Sequence, residues 1–146
     1  MQKHTRPVLL VVDDDAQVLE LIRRFATGEG FETLACQGGV EALARIRDQH
    51  VDLALVDLRM PDVGGLDVIS RVREADPHCH IILMSGHATI DTAVEAVKRG
   101  AIDCLSKPLD FARLRQAFAA AREEAERRRS LLAVEGDVAR QLEFCG

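Results

Sequence analysis

Four short apolar runs of this sequence are each followed closely by polar side chains that can take part in chemistry. In chain order these side chains are Asp13 and Asp14, then Asp57, Ser85 and Lys107. In an open parallel sheet, ligands bind at the carboxyl ends of the strands. We therefore expect three carboxylates, a hydroxyl and an ammonium group to meet at one edge of a sheet.

Three carboxylates at one edge require a cation. Two unit charges about 4 Å apart repel by roughly 4 kcal/mol at an effective dielectric constant of about 20, so the group is poorly tolerated without a proton or a metal ion. Oxygen ligands suit a hard divalent ion. Mg²⁺ fits best, because it binds through a few carboxylates together with waters and phosphate oxygens. The sequence thus predicts Mg²⁺ as the cofactor.

Lys107 and Ser85 complete a set of groups for phosphoryl transfer. Lys107 would pair with Asp57 at rest and with a phosphoryl oxygen when one is present, while Ser85 would donate a hydrogen bond to another oxygen. A nucleophile, a bridging metal and positive charge on the phosphoryl oxygens are the parts that transfer to a carboxylate needs. Taken singly, each side chain could instead be structural, as a cap, an Asx-turn or a solvated charge, and Asp15 is expected to be such an N-cap.

Five apolar runs rich in Val, Ile and Leu alternate with stretches of helical period, which is typical of an α/β fold with a parallel sheet. Their near-continuous apolarity indicates strands that are covered on both faces. The runs are residues 8–12, 31–36, 53–56, 81–84 and 101–105.

Apolar spacing predicts a first and a fourth helix, each with one face on the sheet. Their apolar positions are Val18, Leu21, Ile22 and Phe25 in the first, and Ile90, Ala93, Val94 and Val97 in the fourth. A second helix is predicted at about residues 39–49, and a third at about 65–75, where Asp76 and Pro77 stop it.

The last helix is predicted to begin after an N-cap at Asp110 and to run well beyond a simple closing helix. Two interpretations fit its apolar stripe: a weak coiled-coil dimer seam, or a helix whose first half packs on the sheet and whose second half is solvated. The stripe consists of Phe111, Leu114, Phe118, Ala121, Ala125, Arg128 and Leu132.

Composition limits the class of protein. The 146 residues, 47% of them hydrophobic, suffice for one core and one domain. A net charge of −5 with scattered basic residues argues against nucleic-acid binding by this segment. No apolar run approaches the roughly 20 residues needed to span a bilayer, so we expect a cytoplasmic protein without membrane contact. The four cysteines lack metal or redox spacing and are expected to be reduced: Cys36, Cys79, Cys104 and Cys145.

These motifs resemble the receiver domains of two-component response regulators. The matching segments are VVDDD (11–15), VDLRMPDVGG (56–65), LMSGHA (83–88) and KP (107–108), in the family's order and spacing. The resemblance covers about residues 7–125, which leaves 1–6 as a disordered N-terminus and 126–146 as an extended fifth helix and linker toward a C-terminal output domain. It implies a (βα)5 flavodoxin-like three-layer sandwich with a five-stranded parallel sheet in the order 2-1-3-4-5.

The resemblance also implies a role for each site residue. Asp57 would be the phosphoacceptor, charged by a histidine of a partner sensor kinase. Ser85 and Lys107 would contact the phosphoryl group, and the peptide bond from Lys107 to Pro108 would be cis. The ligands of Mg²⁺ would be Asp13, Asp14, Asp57 and the backbone carbonyl of Arg59. Such a receiver catalyses only its own phosphorylation and dephosphorylation, so it is not expected to be an enzyme in the ordinary sense.

One position departs from the family pattern. The family usually has Tyr or Phe three residues before the lysine, and this chain has Cys104. Phosphorylation is expected to shift the population of the face formed by helix 4, strand 5 and helix 5. Without a ring that flips inward, the switch must be smaller, or be carried by Ser85 and the loop before helix 4.

A finer resemblance concerns residues 86–110, GHATIDTAVEAVKRGAIDCLSKPLD, which are similar to receivers of sigma-54-dependent transcription activators of the nitrogen-regulatory class. In that class an AAA+ ATPase domain and a DNA-binding domain follow. DNA and sigma-54 RNA polymerase would be contacted only through those domains. The receiver would form a homodimer, either through the helix 4, strand 5, helix 5 face or through the extended helix 5.

Three other functions compete with this hypothesis, and each is disfavoured by particular residues. A haloacid-dehalogenase-type phosphatase would need a second aspartate two residues after the nucleophile, where this chain has Arg59. A receiver that has lost its chemistry would not need all of the site residue types that are present here. A serine hydrolase is disfavoured because Leu83 stands where its nucleophile elbow needs glycine.

Overall fold

The structure is a computed structural model that describes residues 6–145, with side chains described as far as residue 134. Within this range, strands and helices alternate along the chain. The elements are β1 Val8–Val12, α1 Ala16–Gly28, β2 Glu32–Cys36, α2 Gly39–Asp48, β3 Leu53–Asp57, α3 Gly65–Ala75, β4 His80–Ser85, α4 Ile90–Arg99, β5 Asp103–Ser106 and α5 Phe111–Cys145.

The strands form one parallel sheet in the order β2-β1-β3-β4-β5. This confirms the predicted fold and strand order. The register pairs Val12 with Val56, so the next residues, Asp13 after β1 and Asp57 at the end of β3, lie at the same edge of the sheet. It also pairs Ser85 with Ser106, which brings Lys107 to the same edge.

Two apolar layers cover the sheet, because successive side chains of a strand point to opposite faces. Leu9 and Val11 belong to the core under α1 and α5, whereas Leu10 and Val12 belong to the core under α2 and α3. Strands β1 and β3 are buried along their whole length. The result is the predicted three-layer sandwich, with polar groups gathered at the strand ends.

Several predicted element ends are confirmed by their caps. The Asp15 carboxylate accepts a hydrogen bond from the Gln17 amide at 2.9 Å and begins α1. Asp110 does the same for α5 through the Ala112 amide at 2.9 Å. Strand β5 begins two residues later than expected, because the chain first turns at Gly100, whose φ of 123° favours glycine.

The prediction that the apolar face of α4 lies on the sheet is wrong. Of the α4 residues only Ala96 is buried, while Ile90, Val94 and Val97 are 83%, 48% and 58% exposed. The reason is that α4 packs against α3 and β5, and β5 is a four-residue edge strand that offers little sheet surface. In α1 the stripe is also displaced, since Leu21 is 52% exposed and the buried residues are Leu19, Ile22 and Ala26.

The long last helix packs on the sheet with its first half only. Leu114, Phe118, Ala121 and Ala125 are buried, as one of the two interpretations expected. Farther along, Leu131, Leu132 and Val134 are between 55% and 62% exposed. Cys36, Cys79 and Cys104 are free thiols, as predicted, whereas the side chain of Cys145 and the whole of residues 1–5 lie outside what the structure describes.

Candidate functional site

Three carboxylates meet at the carboxyl edge of the sheet. Asp13 and Asp14 follow β1, Asp57 ends β3, and one oxygen of each lies within 4.8 Å of the others. Asp13 is fully buried, Asp57 is buried with 7% of its surface exposed, and Asp14 is exposed. The cluster therefore opens to solvent on the side of Asp14.

The Lys107 ammonium group lies between two of these carboxylates. Its Nζ is 2.6 Å from Asp13 Oδ2 and 3.0 Å from Asp57 Oδ1. Burial would lower the pKa of Lys107, but the hydrogen bonds to Asp13 and Asp57 outweigh it and raise the pKa. The pair with Asp57 was expected, whereas the shorter one with Asp13 was not. The peptide bond from Lys107 to Pro108 is cis.

The surroundings of Asp57 raise the pKa of its carboxyl group. Burial, reinforced by the charges of Asp13 and Asp14, raises the pKa of Asp57, although the Lys107 ammonium group opposes this. Three carboxylates and one ammonium leave two negative charges without a partner in the cluster. An oxygen donor set with that excess charge fits a hard divalent cation.

Ser85 is the last residue of β4 and is buried with 3% of its surface exposed. Its hydroxyl accepts a hydrogen bond from the His87 amide at 3.1 Å, and its carbonyl accepts one from the Lys107 amide at 2.9 Å. The ends of β4 and β5 are thus joined through Ser85. Among the described residues, the Ser85 hydroxyl group donates no hydrogen bond.

The segment after Asp57 passes close to the site. Arg59, whose carbonyl the family resemblance names as a ligand, lies in the loop of residues 58–64 between β3 and α3. Gly65 follows this loop, and a Cβ there would lie 2.2 Å from the Asp57 carbonyl oxygen, so only glycine fits. Farther along the loop, the Asp62 carboxylate binds the start of α2. Sequence reasoning missed this contact, although two consecutive glycines, Gly38 and Gly39, stand in the sequence where α2 begins.

Cys104 lies in β5 and is half-buried against the core beneath α3 and α4. Burial, together with the charge of Asp103, raises the pKa of its thiol. A small neutral side chain therefore occupies the position where the family usually has an aromatic ring.

The topology and the strand-end cluster define a flavodoxin-like α/β domain with an acidic, lysine-bearing edge. Residues 9–119 match the family described as the response regulator receiver domain. The chain belongs to this family. This confirms the resemblance noted from the sequence motifs.

Curated relatives are transcriptional regulators. The transcriptional regulatory protein ZraR of Klebsiella oxytoca is 36% identical over 106 residues, which cover 73% of this chain and 24% of that protein. The alginate biosynthesis transcriptional regulatory protein AlgB of Pseudomonas aeruginosa is 34% identical over 133 residues, or 91% of this chain and 30% of that protein. The chain thus spans about a quarter of the length of such relatives.

Solved structures show the same fold. A CheY-like response regulator receiver domain protein from Methanospirillum hungatei has a TM-score of 0.80 and 26% identity, and the match covers 85% of this chain and 99% of that one. A response regulator protein from Burkholderia pseudomallei, solved with a phosphorylated aspartic acid, a calcium ion and citrate, has a TM-score of 0.73 and 27% identity over 86% of this chain and 74% of that one.

Among the described residues, no helix combines the length and apolarity that crossing a bilayer requires.

Proposed function

We propose that this chain is a working phosphoacceptor, in which Asp57 takes a phosphoryl group from a histidine of a sensor kinase. The observation that carries the proposal is the buried Asp57 carboxylate, which lies within 4.8 Å of two further carboxylates and 3.0 Å from Lys107. Receiver domains generally bind Mg²⁺ and are phosphorylated on an aspartate. The acidic cluster would supply oxygen ligands for the ion and the carboxylate that accepts the phosphoryl group.

The transfer needs few parts from the protein. Lys107 holds one oxygen of Asp57, so the other oxygen attacks phosphorus. The new O–P bond forms as the P–N bond of the phosphohistidine breaks, and the electron pair stays on the kinase imidazole, which then takes up a proton. Lys107 and Ser85 bind the phosphoryl oxygens, and hydrolysis by water restores the Asp57 carboxylate.

The metal site would be formed by Asp13, Asp14, Asp57 and the carbonyl of Arg59. When bound there, Mg²⁺ would supply positive charge that offsets the carboxylates and the charge of a phosphoryl group. The Asp13 carboxylate is also held by two contacts within the protein. Its Oδ2 pairs with the Lys107 ammonium group, and its Oδ1 accepts a hydrogen bond from the Asp15 amide at 2.9 Å. Asp13 is thereby held from both sides before any ion binds.

Acetyl phosphate tests the assignment of Asp57. Incubation with Mg²⁺ should add a single phosphoryl mass, and both Asp57→Asn and removal of Mg²⁺ with EDTA should abolish the addition. Asp48→Asn, the same change at an exposed position at the end of α2, should leave it intact. Labelling that persists in Asp57→Asn would show that another residue is the acceptor.

Two surfaces support a homodimer. The first is the face formed by α4, β5 and α5, where Ile90, Val94 and Val97 are exposed. The second is α5 beyond Ala125, where Leu131 and Leu132 are exposed. Truncation after residue 126 keeps the packed half of α5 and removes only the second surface, so light scattering should show a monomer if that surface forms the dimer and an unchanged mass if the first does.

The larger protein is proposed to be a cytoplasmic sigma-54-dependent transcription activator. Its receiver would be residues 7–125, and residues 126–146 would lead to an AAA+ ATPase domain and a DNA-binding domain. The support is the match to transcriptional regulatory proteins about four times as long, and the AlgB match that extends over 91% of this chain. A Walker-type phosphate-binding sequence encoded after Gly146 would test this directly.

A further inference from the structure

The N-terminus of α2 is capped by a residue of another loop. Its N-cap residue, Gly38, has no side chain, and the helix begins at Gly39. Asp62 takes over this function, since its Oδ1 accepts the Gly39 amide and its Oδ2 accepts the Val40 amide, both at 3.0 Å. A carboxylate at this helix end satisfies amides that would otherwise lack partners.

The same carboxylate also fixes its own loop. Asp62 Oδ1 accepts the Val63 amide at 2.6 Å. The hydrogen bonds from Val40, Val63 and Gly39 together lower the pKa of Asp62. Three backbone donors therefore converge on one side chain, and two of them belong to α2.

Two glycines at the start of α2, the N-cap residue Gly38 and the first helical residue Gly39, provide the space for this contact. A Cβ at Gly38 would lie 2.7 Å from Asp62 Oδ2, and a Cβ at Gly39 would lie 2.6 Å from Val63 Cβ. The backbone of Gly38 is extended, with φ of −164°, so it does not itself require glycine. Gly38 and Gly39 are not part of a phosphate-binding motif. The close approach of the loop of residues 58–64 explains why both positions are glycine.

The loop is anchored at its other end as well. The Leu58 amide donates to the Met84 carbonyl, and the Gly65 amide donates to the Leu58 carbonyl, both at 3.0 Å. Only three residues separate Leu58 from Asp62, and Arg59 is the first of them. Tethers on both sides restrict the direction in which the Arg59 carbonyl can point.

We propose that Asp62 is a positioning residue for the metal site, which holds the loop of residues 58–64 on α2 and thereby orients the Arg59 carbonyl toward Mg²⁺. This rests on the proposed function, because it concerns the metal ligands assigned there. Groups that orient the ligands of a metal commonly change its affinity by on the order of tenfold or more.

Two substitutions test the proposal without changing the net charge. Asp62→Glu keeps the charge but lengthens the side chain, and Gly38→Ala leaves Asp62 in the sequence but displaces its carboxylate. Isothermal titration of the full chain with Mg²⁺ should show binding that is weaker by on the order of tenfold in each. Gly64→Ala is the matched control, since a Cβ there meets nothing within 4 Å, and it should bind Mg²⁺ as the wild type does.

A double substitution separates the contact from a general effect of Gly38. If Gly38→Ala acts by displacing Asp62, it should weaken Mg²⁺ binding no further in an Asp62→Ala background, because the shared contact is already lost. Full additivity of the two effects would overturn the mechanism.

Two more measurements exclude a merely structural role. The titrations are made well below the unfolding temperature of each variant. Amide hydrogen exchange at Val40 should be faster in Asp62→Glu, because this amide donates to the Asp62 carboxylate. Saturating Mg²⁺ should restore phosphorylation by acetyl phosphate. Equal Mg²⁺ affinity in the wild type, Asp62→Glu and Gly38→Ala would overturn the inference and leave the proposed function standing. A wild type that binds no Mg²⁺ would overturn both.

Discussion

Replacing Asp57 by Asn should make the protein more stable when Mg²⁺ is absent. Asp57 is buried beside Asp13 and Asp14, and its pKa is raised, so its ionisation at neutral pH costs folding free energy. Asn is nearly the same size and still offers an oxygen to Lys107. The substitution therefore removes a cost and keeps most of the contacts.

The magnitude follows from the distances. At an effective dielectric constant of about 20, a separation of no more than 4.8 Å gives at least about 3.5 kcal/mol of repulsion between two carboxylates, and the Lys107–Asp57 separation of 3.0 Å gives about 5.5 kcal/mol of attraction. Repulsion from Asp13, with a screened contribution from the exposed Asp14, therefore nearly cancels the attraction. The several kcal/mol needed to remove a carboxylate from water decide the sign. We expect Asp57→Asn to raise the free energy of unfolding by about 1–3 kcal/mol.

The effect should depend on pH in a defined direction. A raised pKa means that the folded state binds the proton of Asp57 more tightly than the unfolded state does. The advantage of Asn is then largest at neutral pH, and it disappears below about pH 4, where Asp57 is protonated in both states. A constant advantage at all pH values would show that the gain comes from packing.

Urea unfolding in EDTA, followed by circular dichroism because the chain has neither Trp nor Tyr, measures the change. Asp52→Asn is the matched control with the opposite sign. Although burial opposes it, the hydrogen bonds from His50 and the Val8 amide lower the pKa of Asp52, and its loss should cost about 1–3 kcal/mol. Destabilisation by Asp57→Asn in EDTA would refute the account of the cluster.

Further predictions concern other charged groups. Lys107→Met leaves Asp13 buried without a cation, so in EDTA it should lower the free energy of unfolding by about 3–5 kcal/mol, and Mg²⁺ should restore part of this in the same urea titration. His50 lies between two aspartates, and its hydrogen bonds to Asp52 and Asp76 raise its pKa to about 10. Since the ring is half-exposed and screened, His50→Gln should cost about 1–2 kcal/mol at pH 6, and the difference from wild type should vanish as the pH rises through about 10. Asp15→Ala removes an N-cap and should cost about 1 kcal/mol in thermal unfolding, while labelling by acetyl phosphate stays unchanged.

The sequence was sufficient for the strand order and for the edge at which the site lies, because parallel strands place their carboxyl ends together whatever their side-chain packing. It was insufficient for contacts that depend on tertiary geometry. The pair between Lys107 and Asp13 joins residues 94 positions apart, and the cap from Asp62 to Gly39 joins residues 23 apart. Local spacing carries no information on such distances.

The α4 helix shows a second limit of the same kind. A period of 3.6 reveals that a helix has an apolar face, but not what covers it. The exposed Ile90, Val94 and Val97 match the pattern of a helix packed on a sheet, yet the sheet beneath them ends at β5. The apolar stripe is therefore available to a partner.

This weak burial bears on the proposed switch. With Cys104 in place of a ring, the expected switch is either smaller or carried by Ser85 and the loop before α4, and only Ala96 of α4 is buried. Polar contacts also attach α4 to α3. Arg99 forms an ion pair with Asp67 at 2.9 Å, and Arg73 donates a hydrogen bond to the Gly100 carbonyl at 2.7 Å. Partly exposed ion pairs contribute at most about 1 kcal/mol each. A hydrogen bond from Ser85 to a charged phosphoryl oxygen contributes about 1.5–3 kcal/mol, which is enough to shift a helix held so loosely.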